Sequence, residues 1–153
     1  MRTIKFKAKR IDNGEWLEGY YRGSTYEDKA FIYRIKRPPL AFEVDPNTVC
    51  QFTGFFDKNG KEIYEGDVLR SDDFPFSFIN EQKTCRDLRF GSIVWDEVGR
   101  KYFMLCRTNK KLNVDKYFEG VHLDINQLWC SNFEVVGSIH DKEWQEKLKL
   151  NNE

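Results

Sequence analysis

"CQFTGFFDKNGKEIYEGDVL", residues 50–69, decides how this chain is read. Two β-prone runs, "CQFTGFF" and "EIYEGDVL", flank Asn59-Gly60, a pair suited to the positive φ angles of a tight type I′ hairpin turn. The segment therefore reads as two strands joined by a solvated turn, "DKNGK", in which Asp57, Lys58 and Lys61 owe their polarity to exposure. Gly66 before Asp67 marks a place where the second run can bulge or bend sharply, because glycine accepts backbone angles that other residues resist. In a small barrel such a bend turns the corner. Gly54, Asn59, Gly60, Gly66 and Asp67 thus have a backbone explanation that needs no ligand.

The same turn chemistry recurs upstream. In "TIKFKAKRIDNGEWLEGYY", Ile4, Phe6 and Ala8 alternate with Lys5, Lys7 and Lys9, and Asn13-Gly14 precedes an aromatic run from Trp16 to Tyr21. Period two fits a half-buried strand, so the first 22 residues read as a β-hairpin. "AFIYRI", residues 30–35, is a third strand closed off by Pro38-Pro39, which cannot donate ladder hydrogen bonds. "SIVWDEVGRKYFMLCR" reads as a further hairpin around Val98-Gly99, and "NFEVVGSI" as a final strand with Phe133, Val135 and Ile139 on one face. Then the period changes. Trp144 and Leu148 lie four apart, and Asp141 can cap a short C-terminal helix, about 141–150, by accepting from its first free amides. So short a helix needs tertiary support, so Trp144 must dock on the body or on a neighbouring subunit. Residues 71–90 form a long loop with Phe74, Phe76 and Phe78 around Pro75, and residues 108–130 stay open between loop, short strand and helical turn.

Composition bounds the class. With 40% hydrophobic and 33% charged residues, including 13 Phe, 7 Tyr and 4 Trp, the chain is too aromatic for disorder and too polar for a membrane protein. At 153 residues a single domain, 1–153, is expected. Net charge is zero, yet residues 1–37 hold ten Lys/Arg against five acids (+5) and residues 38–81 hold three against nine (−6). No apolar run opens the sequence as a signal peptide would, which places the protein in the cytoplasm. Cys50, Cys85, Cys106 and Cys130 are widely spaced, as reduced structural thiols are, rather than grouped as zinc ligands.

"DPNTVCQFTGFFDKNGKEIYEGDVL", "GSIVWDE" and "FEVVGSIHD" occur in that order, over residues 45–69, 91–97 and 133–141. Together with the opening "IKFKAKR...GEWLEGYY", these blocks resemble the YopX family of phage and prophage proteins. The resemblance implies a β-rich fold, a phage or prophage origin and a suspected homo-oligomer. It supplies no catalytic residue to carry over.

Candidate chemistry is weighed residue by residue. Glu62, Glu65 and Asp67 form the one compact acidic group, able to hold a hydrated Mg²⁺ if Glu65 and Asp67 share a strand face. The further acids, histidines and lysine of a metal-dependent hydrolase are not evident, so a charged hairpin edge is the preferred reading. His122 and His140 have no local pairing with any cysteine that favours a Cys-His nucleophile. No GxSxG, P-loop, GxGxxG or HExxH motif occurs, and neither catalytic residues nor cofactor or metal ligands are assigned. Lys5, Lys7, Lys9 and Arg10 beside Trp16, Tyr20 and Tyr21 form a basic and aromatic hairpin, the combination that small barrels use to bind nucleic acid. Against that, the lysines alternate with apolar residues, so the aromatics could be core and the lysines a solvated edge.

The sequence therefore points to a mostly β, barrel-like, SH3-like domain with a short C-terminal helix. Its expected role is a non-enzymatic phage or prophage accessory protein acting as a homo-oligomeric protein-interaction module, with Phe74, Phe76, Phe78 and Trp144 as interface candidates. The partner is a host or phage protein, with no membrane involved. Nucleic-acid binding through Lys5, Lys7, Lys9 and Arg10 is the alternative.

Overall fold

The computed structural model describes residues 3–23, 29–34, 40–70, 90–96, 101–106, 121–124 and 130–149. Two compact units divide the chain, Met1–Gly54 and Phe55–Glu153. The class is mostly β: two antiparallel sheets and one short helix. The β-rich class expected from the sequence is the one observed; the strand order of each sheet is open, with an isolated antiparallel bridge between Arg10 and Val44 among the described residues.

In the first unit, β1 (Phe6–Lys9), β2 (Trp16–Gly23), β3 (Ala30–Arg34), β4 (Leu40–Val44) and β5 (Cys50–Phe56) lie in the order β4-β3-β2-β1-β5, all antiparallel. The β1–β2 loop is wider than the type I′ turn inferred from Asn13-Gly14. The Arg10 amide donates to the Glu15 carbonyl at 2.9 Å, which leaves four residues in the loop, with Gly14 at φ 72°. Strand β4 was not foreseen, because five residues framed by prolines at 38, 39 and 46 offer little periodicity. One face of this sheet carries the unit's core: Ala8, Leu17, Ala30, Ile32 and Val44 are buried, with Phe6, Phe42 and Val49 packed against them. Removing Leu17, Ile32 and Val44 from water contributes ~1.5–3 kcal/mol each. A 3₁₀ turn, Pro46–Thr48, follows β4, and Thr48 accepts from the Lys9 amide through Oγ1 at 2.9 Å, tying β1 to it.

β5 runs past Gly54 into the second unit and forms a hairpin with β6 (Glu62–Tyr64). The run expected as one strand then breaks at Glu65-Gly66 into β6 and β7 (Asp67–Arg70). With β8 (Phe90–Asp96), β9 (Lys101–Cys106), β10 (Val121–Asp124) and β11 (Glu134–Ser138), β7 builds a sheet in the order β10-β9-β8-β7-β11. The expected β8–β9 hairpin is present, pairing Asp96 with Lys101, and β10 resolves part of the region left open. Register shifts between Val135 and Gly137 as β11 pairs with β7, which alters the face presented after Val135.

Helix α1 spans Lys142–Lys149. Its first bonds are accepted by the Asp141 carbonyl, from Trp144 at 3.0 Å and Gln145 at 2.9 Å. The Asp141 carboxylate accepts from the Ser138 amide at 2.9 Å, clamping the helix start to the end of β11. Trp144 is buried, and a Cβ placed on Gly137 would lie 2.1 Å from its indole Nε1. Only glycine allows the ring to lie so close to the strand.

Candidate nucleic-acid interface

The glycine-rich turns hold the scaffold of the second unit together. Asp57 is 5% exposed, contrary to the expectation that exposure explains its polarity. Its Oδ1 accepts from the amides of Asn59 at 2.8 Å and Lys61 at 2.9 Å, and its Oδ2 from the Val135 amide at 3.0 Å. One carboxylate thus closes the β5–β6 loop and fastens it to β11. That loop has three residues: the Asp57 amide donates to the Lys61 carbonyl at 2.8 Å, and Gly60 closes it at φ 76°. Beside it, the Lys58 ammonium pairs with Glu134 at 3.1 Å, and Arg70 engages the other carboxylate oxygen. The Lys58 hydrogen bond first, and then the Arg70 charge, hold the Glu134 carboxyl below its ordinary range against partial desolvation.

Asp67 and Glu62 are occupied in the same way. Asp67 is fully buried and accepts from the Tyr64 amide at 2.9 Å, while Glu62 accepts from the Tyr64 hydroxyl at 2.6 Å. Gly66, at φ 75°, donates to the Ile93 carbonyl at 2.8 Å and accepts from the Ile139 amide at 2.9 Å. Three strands therefore meet at one corner residue. Among the described residues, no three His, Cys, Asp or Glu side chains group as metal ligands.

Cys130 is buried, and desolvation pushes its thiol up to about 11, the opposite of what a nucleophile requires. Cys50 is buried too, its thiol donating to the Thr48 carbonyl at 3.3 Å. His140 is half-buried beside Gly66, where its Nε2 would lie 3.5 Å from an added Cβ. Phe74, Phe76, Phe78 and Cys85, and the side chains of Cys106 and His122, lie outside the described residues. Trp144, packed on Gly137 of its own unit, has its ring withdrawn from solvent.

The feature with functional chemistry is the second face of the first unit's sheet. Antiparallel register sets Lys9 opposite Trp16 and Lys7 opposite Glu18, Tyr20 opposite Tyr33 and Arg22 opposite Phe31, and then Phe31 opposite Glu43 and Tyr33 opposite Ala41. Residues directly opposite share a face, so lysines and aromatics lie together, on the face away from Ala8, Leu17 and Ile32. Tyr20 is 51% exposed; Trp16, Phe31 and Tyr33 are half-buried. The Lys7 and Lys9 ammonium groups stand 4.8 and 5.1 Å from the Trp16 ring centroid, within cation–π range. Lys5 pairs with Glu18 at 3.2 Å. On the β5 side the face closes at Cys50, buried opposite Lys7.

Arg10 does not join this group. Its guanidinium binds Asp12, with Nε to Oδ1 at 2.8 Å, and lies 4.8 Å from the Phe42 centroid, a residue of the core side. Tyr21 also belongs to that side, its ring 5.5 Å from that of Phe6. Phe31 and Tyr33 escaped the sequence reading, although alternation along "AFIYR" sets them apart from Ala30 and Ile32.

A family model described as YopX protein matches residues 3–143. The chain belongs to the YopX family. A search of curated proteins found no match. Among solved structures, the YopX chain is similar to the crystal structure of protein EF1440 from Enterococcus faecalis. Identity is 22%, covering 97% of this chain and 99% of that one, with a TM-score of 0.47. Among the described residues no helix is long and apolar enough to cross a membrane.

Proposed function

We propose that this YopX protein is a non-enzymatic binding module that holds nucleic acid on the lysine-aromatic face of its first unit. One observation carries the reading: Lys7 and Lys9 share a sheet face with Trp16, Tyr20, Phe31 and Tyr33, on which Tyr20 is exposed and the others are half-buried. Cations beside aromatic rings suit a partner that is both a polyanion and rich in flat rings. Charge agrees in sign, since residues 1–54 hold ten Lys/Arg against seven acids, +3, in a chain of net charge zero. The test is fluorescence anisotropy with labelled oligonucleotides, single-stranded and duplex, against the intact protein and Lys7→Gln/Lys9→Gln. Salt-sensitive binding that the double variant weakens is the expected result. No salt-sensitive binding to either oligonucleotide, or undiminished affinity in the variant, overturns the reading.

A second reading, a homo-oligomeric protein-interaction module, draws support from β4. Its outer edge is bridged to the end of β1 at Val44, while Leu40 and Ala41 at its other end are exposed, and that stretch of edge can pair with a second copy. A single closed oligomer by native mass spectrometry that Ala41→Pro dissociates would favour it; a monomer would eliminate it. On either reading the protein is a phage or prophage accessory protein of the host cytoplasm.

A further inference from the structure

We infer that the nucleic acid taken by this face is single-stranded, held by a phosphate at Lys7 and Lys9 and by bases stacked on Tyr20 and Tyr33. The inference rests on the nucleic-acid reading and narrows it to one class of ligand.

The aromatic side chains supply the first argument. Tyr20 and Tyr33 are cross-strand neighbours, so their Cβ atoms stand ~4.5–5.5 Å apart, and Phe31 follows on the same face of β3. Tyr20 is exposed and Tyr33 and Phe31 are half-buried, so the row offers part of its ring surface to other flat rings. In a duplex the base faces are hidden by stacking and only the groove edges and phosphates are accessible, whereas unpaired bases can splay onto aromatic side chains.

Charge supplies the second. Duplex DNA carries one charge per ~1.7 Å of axis and rewards continuous cationic rows. Here Lys5 is bound to Glu18, and Glu18 and Glu43 interrupt the cations of the same face. Lys7, Lys9 and Arg22 are the other cations of this face, a number suited to two or three phosphates rather than to a duplex. Placement agrees, because the rings stand on β2 and β3 inside the sheet rather than on a protruding ribbon of the kind that enters a groove.

The face also divides its labour. Trp16, with an ammonium group at 4.8 Å and another at 5.1 Å, gathers Lys7 and Lys9 into one cationic seat. Along β2, Tyr20 lies four residues beyond Trp16, ~13 Å at the rise of a strand. A phosphate at the seat and a base on Tyr20 therefore belong to different nucleotides of one strand, which the chain would hold extended.

The experiment is competition: a labelled oligothymidylate bound to the intact protein, displaced by unlabelled single strand or by a stable hairpin duplex at equal salt. Single strand should compete at least tenfold better than duplex. Removing one stacking ring forfeits ~1–3 kcal/mol, so Tyr20→Ser and Tyr33→Ser should each weaken single-strand binding ~5-fold or more, with duplex binding unmoved. Tyr20→Phe and Tyr33→Phe keep a ring and should retain affinity, which separates stacking from loss of fold. With two phosphates engaged, log affinity against log salt should fall with a slope of about −1.4. Equal or tighter competition by duplex, or affinity indifferent to both Ser variants, refutes the single-strand inference and leaves nucleic-acid binding standing. No binding of either oligonucleotide refutes both.

Discussion

Replacing Asp57 by Ala should unfasten the second unit at the junction of the β5–β6 loop and β11. The carboxylate serves three amides, those of Asn59, Lys61 and Val135. Asn59 and Lys61 are exposed, so their amides recover water as partner and each loss costs the low end of a hydrogen bond, ~0.5–1 kcal/mol. Val135 is half-buried at the start of the register shift, and its amide should incur more of the desolvation penalty, ~1–3 kcal/mol. The sum is about 2–5 kcal/mol. Asp57→Asn keeps an acceptor for the loop amides but turns an NH₂ group towards the Val135 amide, so it should fall between wild type and Ala. Urea unfolding gives the midpoint and the slope, and an unchanged slope assigns the loss to the native state. Hydrogen exchange of the Val135 amide gives a local readout, which should accelerate in both variants. A loss below ~1 kcal/mol in Asp57→Ala, or an Asn variant less stable than Ala, would refute the reasoning.

Gly66→Ala should cost ~1–3 kcal/mol in the same assay, since its φ of 75° strains any side chain and the new methyl would meet Ile139 Cγ1 at 3.2 Å. Gly137→Val should expel the Trp144 indole from β11, seen as a red shift in tryptophan emission and loss of helical circular dichroism. Cys130 should resist Ellman's reagent at pH 8 in the folded protein and react once unfolded, because burial raises its thiol from 9.0 to about 11. The folded chain holds that proton to higher pH than the unfolded chain, so this group's contribution is full below pH 9 and is lost between pH 9 and about 11. For Glu134 the sign reverses: its lowered pKa gives stability present above the ordinary carboxylate range and lost as pH falls through it. Glu134→Gln should therefore flatten the acid limb of the stability profile, measured as midpoint against pH.

Much of the fold was legible because alternation and turn residues act locally. Phe6 and Ala8 face inward as period two requires, and the break at Gly66 falls where glycine makes a corner accessible. What escaped depends on distant partners. Asp57 looks like any turn acid until β11 brings the Val135 amide, 78 residues away, to its second oxygen. The lysine-aromatic face was half legible. A β1–β2 loop of two or of four residues alike leaves the odd-numbered lysines opposite even-numbered Trp16, Glu18 and Tyr20, so the shared face follows from parity. Arg10 separates from the lysines for the same reason. The tyrosine pair required the β2–β3 register, which alternation within each strand does not set.

The most direct test of the central claim is amide NMR on the intact, isotope-labelled protein titrated with a short single-stranded oligonucleotide. The account predicts shift changes concentrated at Lys7, Lys9, Trp16, Tyr20, Phe31 and Tyr33, with the buried Ala8, Leu17 and Ile32 little affected. An unchanged spectrum, or changes confined to the second unit, would contradict it.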